Sequence, residues 1–452
     1  MKTLSFQLLT IVSLTCIPHV LQAQKVETRK TGQKVFVVDG QASLFDTLSA
    51  EAKVYGLSTF WKDASYNFVF FDRLKVNWDS AYYATIPKVL AAKNMFEYWR
   101  VLDDFAKLLN DGHTGIYRPD YFWKDMGNPP VMTTKINDRR YVTRIDQTLL
   151  EEIPIGSEVL KIDNKSYDEY IKLHGTLVGY KGTTINYTFR RPDGTEITKT
   201  LTRYAGKDRS VKYVPALAPW RDFSVSDKNG YAYVKVNTFE LDSVAVKFRK
   251  HIPMINRSKA LILDIRDNGG GNTSHAISLA QHLTNKSVMT GSSWRTRIHK
   301  AANKAWASWD SEEGNTNENL NYLLGNEWEI HPGQKIKIAR NIDKVTVPII
   351  ILIGERTFSA AEDFLILLDG SSNIKLIGQN TGGSSGQPLY LNLVGGLAAR
   401  ICSKRDTYPD GRDFIGIGIK PDVYVKRNEI DYLKGVDTEL EFALHYLSVS
   451  KH

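Results

Sequence analysis

The sequence has few of the features that mark specialised classes of protein. Only two cysteines, Cys16 and Cys402, occur among 452 residues, which excludes a disulfide framework and a cysteine-rich metal cluster. After residue 23 no apolar run approaches the roughly 18 residues that cross a bilayer, so no stable membrane span is expected. Hydrophobic residues make up 42% and charged residues 24%, which are ordinary globular values. At roughly 100–200 residues per domain, two or three domains are expected.

The excess of positive charge is also small. Lys and Arg number 59 against 50 Asp and Glu, for a formal net charge of +9. No basic-aromatic recognition pattern occurs, so a nucleic-acid partner is not expected.

His275 and His282 lie seven residues apart on a predicted helix, but no carboxylate pattern accompanies them, so core or surface histidines are favoured over a metal site. No metal and no cofactor are expected.

The first residues resemble a targeting segment. A basic start at Lys2 precedes an apolar run, and small residues around Ala23 offer a cleavage point before charge resumes at Lys25. This pattern predicts a secretory signal peptide over residues 1–23. A buried N-terminal helix is the alternative.

The remaining chain divides by periodicity into three parts. Residues 24–126 carry a helical spacing that ends in a turn at Asn110–His113, which predicts a small helical domain. Residues 127–205 read as short alternating strands separated by turns. In residues 206–452 strands alternate with helices, which predicts an α/β layer architecture. There Ala260–Ile265 and Val347–Ile353 are predicted as buried strands, and Ser287–Lys335 as a polar insertion.

Two strand-to-helix turns in the α/β part are candidate sites. The first, Asp264–Asn272, contains three consecutive glycines whose backbone N–H groups can hold an anion. The second places Ser359 at a helix N-terminus, where free N–H groups and the helix dipole stabilise negative charge. A plain tight turn and an N-cap serine are the competing readings. If Ser359 is a nucleophile, the N–H of Ala360 is placed to donate to an oxyanion.

A serine nucleophile needs a base. His113 is the best placed of the ten histidines, because it follows Gly112 in the turn after a predicted helix.

Several motifs, in order along the chain, resemble a known family. They are Leu109–Thr114 (L-N-D-G-H-T), a strand-turn at Ile153–Asp163 similar to that of PDZ domains, Gly230–Val234, Leu261–Gly271, Thr357–Glu362 (T-F-S-A-A-E) and Gly418–Asp422. Together they resemble the serine peptidases that include the C-terminal processing peptidases and the tricorn protease core. The resemblance implies a crotonase-like α/β catalytic domain with a PDZ-like β-rich domain. It also implies Ser359 as nucleophile and an oxyanion hole from Ala360 and a glycine of the triple-glycine turn, for which Gly270 is the candidate.

The resemblance also bears on the base. Processing peptidases carry a lysine in a turn that here reads Thr381–Gly386, and Ser384 stands in its place. The tricorn-like branch uses a histidine, which His113 matches. That branch has a glutamate near the final motif, where this chain has Ile415, so Asp413 is the candidate orienting acid, with Asp410 or no acid as alternatives. Glu362 is expected to be structural.

The sequence thus predicts a secreted serine endopeptidase of the periplasm or cell envelope. It would hydrolyse peptide or protein substrates through an acyl-enzyme on Ser359. The competing reading is a non-catalytic protein that binds peptides or hydrophobic ligands on the same scaffold. Oligomeric state, natural substrate and the role of residues 287–335 are left open by the sequence.

Overall fold

A computed structural model describes residues 42–206, 208, 210–309 and 319–449 of the chain, with the backbone of two short strands ahead of them. The predicted signal peptide at residues 1–23 lies outside the described residues. The architecture is mixed α/β, with several sheets. No helix in the described ranges has both the length and the apolar character needed to cross a membrane.

The first part of the chain is mainly helical. Its elements are β1 (Lys25–Thr28), β2 (Lys34–Val37), α1 (Ala50–Asn67), α2 (Trp78–Ala91), α3 (Met95–Lys107) and β3 (Gly115–Tyr117). Helix α3 begins where the Asn94 side chain accepts a hydrogen bond from the N–H of Glu97. Its apolar residues, including Tyr98 and Leu102, share one buried face, as the 3–4 spacing predicted. That packing positions the turn that carries His113.

The second part forms a sheet with its own core. Its elements are β4 (Met126–Gly127), β5 (Val131–Ile136), β6 (Arg139–Asp146), β7 (Glu158–Ile162), α4 (Tyr167–His174), β8 (Gly179–Tyr180), β9 (Thr184–Arg190), β10 (Glu196–Thr202) and β11 (Tyr213–Val214). The strand order is β10-β9-β7-β6-β11, with β5 beside β6. A cluster of buried residues drawn from Val131 to Leu201 fills this part separately from the rest. The predicted domain boundaries at 126/127 and 205/206 stay predictions.

The third part alternates strands and helices. Its elements are β12 (Phe223–Lys228), β13 (Tyr231–Val236), α5 (Ser243–Ile255), β14 (Leu261–Asp264), α6 (Thr273–Ala280), β15 (Val288–Thr290), β16 (Ser293–Arg297), α7 (Ala301–Ala307), α8 (Leu320–Leu324), β17 (Trp328–His331), β18 (Lys335–Lys337), β19 (Ile349–Ile353), α9 (Ala360–Leu368), β20 (Ile374–Gly378), β21 (Pro388–Asn392), β22 (Ala398–Cys402), β23 (Arg405–Thr407), β24 (Val423–Tyr424), α10 (Glu429–Leu433) and α11 (Thr438–Val449). The central sheet has the order β12-β13-β14-β19-β20-β24.

The pairing of β14 with β19 brings the two candidate turns together. These strands are parallel and in register, with Leu261 opposite Ile349 and Asp264 opposite Leu352. Every residue of both strands is buried, as their continuous apolar sequence predicted. Because parallel strands end at the same edge, the triple-glycine turn after β14 and the Ser359 turn after β19 share that edge.

One expectation needed revision. The sequence predicted that α5 would end before Pro253, yet the helix continues to Ile255. Proline removes one N–H from the ladder, but Ile252 and Ile255 on either side of it are buried, and that packing outweighs the loss. The insertion at 287–335 contains strands: β15 pairs with β18, and β16 lies between β17 and β23. Residues 310–318 of it lie outside the described ranges.

The C-terminal helix is tied to β14 by ionic contacts, which generate the first prediction. Arg266 bonds Asp264 at 2.7 Å and Asp437 at 2.6 Å. We expect Arg266→Ala to lower the free energy of unfolding by about 3–5 kcal/mol in urea denaturation, because it leaves the fully buried Asp264 uncompensated. The matched control is Arg412→Ala, which breaks exposed ion pairs and is expected to cost about 1 kcal/mol or less. Equal losses in the two variants would contradict this reading.

Candidate active site

Ser359 sits in a strained turn at the start of α9. Its backbone has φ of 57° and ψ of −126°, a conformation that non-glycine residues rarely adopt and that costs on the order of 1–3 kcal/mol. Two acceptors hold it there. The Ser359 N–H donates to the carbonyl of Ser384 at 3.0 Å and to the carboxylate of Glu362 at 3.2 Å.

That hydroxyl meets His113. The Nε2 atom of His113 lies 3.1 Å from Ser359 Oγ, although the two residues are 246 positions apart in sequence. The predicted proximity of this pair is therefore confirmed, while the catalytic roles stay predictions. The other ring nitrogen, Nδ1, lies 2.7 Å from the hydroxyl of Ser384. Both nitrogens of the imidazole are thus engaged by serine hydroxyls.

Phe358 fixes the plane of the imidazole. Its ring stacks on His113 with centroids 5.0 Å apart and an interplanar angle of 16°. Two glycines make room for this ring, because a Cβ at Gly112 would lie 2.6 Å from Phe358 and a Cβ at Gly382 would lie 2.3 Å from it. Asp111 fixes the other side of the turn, where its carboxylate accepts from the N–H of His113 at 3.1 Å.

The buried carboxylate of Glu362 organises the neighbouring turn. Besides the Ser359 N–H it accepts from Thr381 Oγ1 at 2.5 Å, Gly383 N at 2.8 Å and Ser384 N at 2.9 Å. Burial raises the pKa of Glu362 to about 7, although these hydrogen bonds favour the ionised form. The side chain touches neither His113 nor the Ser359 hydroxyl in the described structure, in keeping with the structural role expected for it.

Burial also tunes His113. The residue His113 is 8% exposed, and this burial lowers the pKa of its imidazole below the ordinary value near 6.5. The carboxylate of Asp111 acts in the opposite direction, and the charge of Arg400 adds to the lowering. At neutral pH the ring is therefore uncharged, with one nitrogen available to accept a proton.

The candidate oxyanion donors differ in availability. Within the described residues the Ala360 N–H makes no hydrogen bond. The Gly270 N–H, in contrast, donates to the Asn268 side chain at 2.9 Å, whereas the N–H of Gly271 makes no hydrogen bond to the described chain. A Cβ at Gly270 would lie 2.7 Å from Ser359 Cβ, so a glycine is needed for the turn to approach Ser359. The N–H of Gly269 likewise makes no hydrogen bond to the described chain, so Gly269 and Gly271 have the uncommitted donors of this turn.

The candidate acid Asp413 lies elsewhere. Its carboxylate pairs with Arg73 at 2.5 Å and Arg405 at 3.1 Å, and the Nδ1 position it was expected to occupy belongs to Ser384. The geometry therefore contradicts Asp413 as the orienting residue. The alternative, Asp410, pairs with Arg412 at 2.8 Å on the surface. Two arginines compete for Asp413, which outweighs any attraction to a neutral imidazole.

In the sequence, Ser384 stands out only because the processing peptidases carry a lysine at that position. Its contact with His113 depends on the fold, because 271 residues separate the two. The stacking of Phe358 on His113 was also not predicted, although its position directly before Ser359 offered a signal.

His275 and His282 each bond a backbone carbonyl through Nδ1, of Phe239 and Asp343 respectively. In the described ranges no group of three or more acidic, histidine or cysteine side chains is placed to hold a metal ion.

Comparison with known sequences identifies the α/β part. Residues 230–425 match the model of peptidase family S41. The carboxy-terminal processing protease CtpA of Bacillus subtilis (strain 168) is 26% identical over 297 residues, which cover 64% of this chain and 55% of that protein. A carboxy-terminal-processing protease of Bartonella bacilliformis is 23% identical over 321 residues, covering 68% of this chain and 63% of that protein. The matches therefore span less than two thirds of either relative.

Solved structures share the fold. Mature CPAF complexed with lactacystin has a TM-score of 0.64 at 16% identity, and the alignment covers 88% of this chain and 99% of that one. A putative peptidase from Parabacteroides merdae ATCC 43184 has a TM-score of 0.52 at 18% identity, covering 89% of this chain and 98% of that one. At such identities the likeness concerns the fold.

These matches relate residues 230–425 to serine-type peptidases in sequence, and the solved structures share the fold. The α/β part of the chain is therefore similar to peptidase family S41, in keeping with the resemblance to the C-terminal processing peptidases that the motifs predicted.

The hydrogen bonds of Glu362 generate the second prediction. We expect Glu362→Gln to lower the free energy of unfolding by about 1–3 kcal/mol for each buried donor that it leaves unpaired, because an amide NH₂ group cannot accept a hydrogen bond. Urea denaturation measures the loss. The control is Glu355→Gln at an exposed position nearby, which is expected to have little effect.

The raised pKa of Glu362 predicts how stability depends on pH. The folded protein holds this proton more tightly than the unfolded chain, whose glutamate has an ordinary value near 4.5. The stabilisation is therefore full below about pH 4.5 and is lost as pH rises through about 7. Between these values the parent should lose stability relative to Glu362→Gln. A constant difference between the two proteins across this range would contradict the shift.

Proposed function

We propose that this chain is a secreted serine endopeptidase in which Ser359 is the nucleophile and His113 the general base. The observation that carries the proposal is the 3.1 Å distance from His113 Nε2 to Ser359 Oγ, beside the N–H of Ala360, which has no acceptor among the described residues. A hydroxyl, a neutral imidazole and an unpaired donor at a helix N-terminus are the parts that acyl transfer needs.

In the proposed reaction His113 Nε2 takes the proton of the Ser359 hydroxyl as Oγ attacks the carbonyl carbon of the scissile peptide bond. The resulting oxyanion accepts hydrogen bonds from the Ala360 N–H and from an N–H of the triple-glycine turn, for which Gly269 and Gly271 are the candidates. The imidazolium then gives its proton to the leaving amine, and an acyl-enzyme remains on Ser359. Water, deprotonated by His113, hydrolyses that ester and restores both residues.

Ser384 is proposed as the residue that orients His113. For Nε2 to accept a proton, Nδ1 must carry one, and the hydroxyl of Ser384 accepts it at 2.7 Å. A neutral hydroxyl sets the tautomer and the ring position, but it stabilises an imidazolium less than a carboxylate does.

We also propose a domain organisation and a cellular location for this protein. The second part of the chain is proposed to be a PDZ-like module that presents peptides to a crotonase-like catalytic domain, which the Ile153–Asp163 strand-turn supports. The periplasm or cell envelope is the proposed location, because residues 1–23 have the pattern of a secretory signal peptide.

A fluorophosphonate probe tests the nucleophile directly. The parent protein should become covalently labelled, and Ser359→Ala should not. Peptide mapping by mass spectrometry should place the label on Ser359. If the folded parent is left unlabelled, the competing reading, a binding protein on a peptidase scaffold, is favoured.

Single substitutions compare how much His113, Ser384 and Asp413 each contribute to kcat. We expect His113→Ala to reduce kcat by about 10²–10⁴-fold through loss of the general base. Ser384→Ala should reduce kcat by only about 2- to 13-fold, because one neutral hydrogen bond contributes about 0.5–1.5 kcal/mol. Asp413→Asn should change kcat less than His113→Ala, since its carboxylate binds Arg73 and Arg405. A larger loss of kcat in Asp413→Asn than in Ser384→Ala would contradict this order.

The lowered pKa of His113 predicts the pH profile. The base must be neutral, so kcat/KM should rise with pH and reach half its maximum below pH 6.5. Because Glu362 titrates near pH 7, measuring the same profile in Glu362→Gln separates the two groups. A half-maximum above about pH 7.5 in both proteins would point to a different base.

A further inference from the structure

A small three-stranded sheet stands next to His113. Strand β3 begins two residues after the histidine and pairs with β22, which places Gly115 opposite Arg400. On the other side of β22, Tyr390 lies opposite Arg400. Ala399 and Ile401 point into the core with no exposed surface, so Arg400 projects from the opposite face of the sheet.

Two tyrosines hold the guanidinium of Arg400. Its central carbon lies 4.7 Å from the ring centroid of Tyr117 and 4.7 Å from that of Tyr390. Tyr117 is 41% exposed and Tyr390 is 54% exposed, so the cation is held at an accessible face of the molecule. Contacts with both rings restrict the guanidinium to one orientation, which reduces the entropy lost when an anion binds.

Arg400 has no carboxylate partner in the described ranges. Its Nε atom is buried without a hydrogen bond, and no ion pair joins its side chain to a described residue. The neighbouring arginines differ, since Arg405 pairs with Asp72 and Asp413. A planar guanidinium that is fixed in position and unpaired is suited to bind a carboxylate through two parallel hydrogen bonds.

Open space lies directly opposite this cation. No atom comes within 4 Å of the position that a Cβ would occupy on Gly115. This gap is two residues from His113, and the charge of Arg400 acts on the imidazole strongly enough to lower its pKa. A group that enters the gap therefore lies close to the scissile bond of a peptide bound at Ser359.

We propose that Arg400 binds a carboxylate of the substrate in the gap beside Gly115, so that the protein favours peptides with an acidic side chain or a free C-terminal carboxylate near the scissile bond. The inference rests on the proposed peptidase function. The shared chemistry is a carboxylate held by a guanidinium, and the two sources are distinguished by experiment.

Binding to Ser359→Ala, measured by fluorescence anisotropy, tests the inference without turnover. One pair of fluorescein-labelled decapeptide pools, blocked at both ends, contains Glu in one pool and Gln in the other among neutral residues. A second pair is neutral and ends in a free carboxylate or an amide. In at least one pair the carboxylate pool should bind about ten- to a hundredfold more tightly, the range of a charge-assisted hydrogen bond. The pair that shows the preference identifies the source.

Two further substitutions in the Ser359→Ala background test the assignment. Arg400→Gln should bring the binding ratio to about one. Gly115→Leu should also lower it, because the leucine fills the gap while the cation remains, and it serves if Arg400→Gln fails to fold. The control is Arg257→Gln, an exposed arginine before β14 at the edge of the sheet opposite the active-site turns, which should keep the ratio.

The outcomes separate the two proposals. The carboxylate inference is overturned if neither pair of pools shows a preference, or if the preference survives both Arg400→Gln and Gly115→Leu. Cleavage of the pools by the parent protein is followed separately, by the release of new amino groups. If binding depends on Arg400 but the parent cleaves nothing, the carboxylate site stands and the proposed peptidase activity fails.

Discussion

The carboxylate of Glu362 holds the active site together. It lies one turn into α9, is fully buried, and accepts hydrogen bonds from the N–H of Ser359 and from three donors in the Thr381–Ser384 turn. Thr381 connects Glu362 to the segment around Ile419, because the Thr381 hydroxyl also accepts a hydrogen bond from the N–H of Ile419 at 2.7 Å. Ser359, Ser384 and the final motif of the chain are therefore fixed relative to one another by a single side chain.

The hydrogen bonds of Glu362 explain both the strained backbone of Ser359 and the position of the uncharged Ser384 hydroxyl beside His113. The positive φ of Ser359 persists because its N–H is held by Glu362 and by the carbonyl of Ser384. The same turn then presents the Ser384 hydroxyl to His113, so the charge of Glu362 is kept away from the imidazole. Since no carboxylate of the described residues contacts the ring, burial has the largest effect on the pKa of His113 and favours the neutral form.

Much of the α/β part was readable from local pattern. The continuous apolar runs predicted β14 and β19, and the serine after the second run predicted the start of α9. The order of the motifs along the chain paired His113 with Ser359. Asp413 was misassigned because alternation along a strand indicates a face, while the competition from Arg73 and Arg405 arises from segments that are distant in sequence.

The sequence by itself determined the buried strands β14 and β19, the start of α9 and the residue types that acyl transfer needs, because these depend on neighbours within a turn or a strand. The partners of those residues were decided by tertiary structure. Ser384 faces His113 across 271 residues, and Arg400 lies opposite Gly115 only through the pairing of β22 with β3. Hydrogen bonds across such separations depend on how the layers pack, and local periodicity carries no information about that packing.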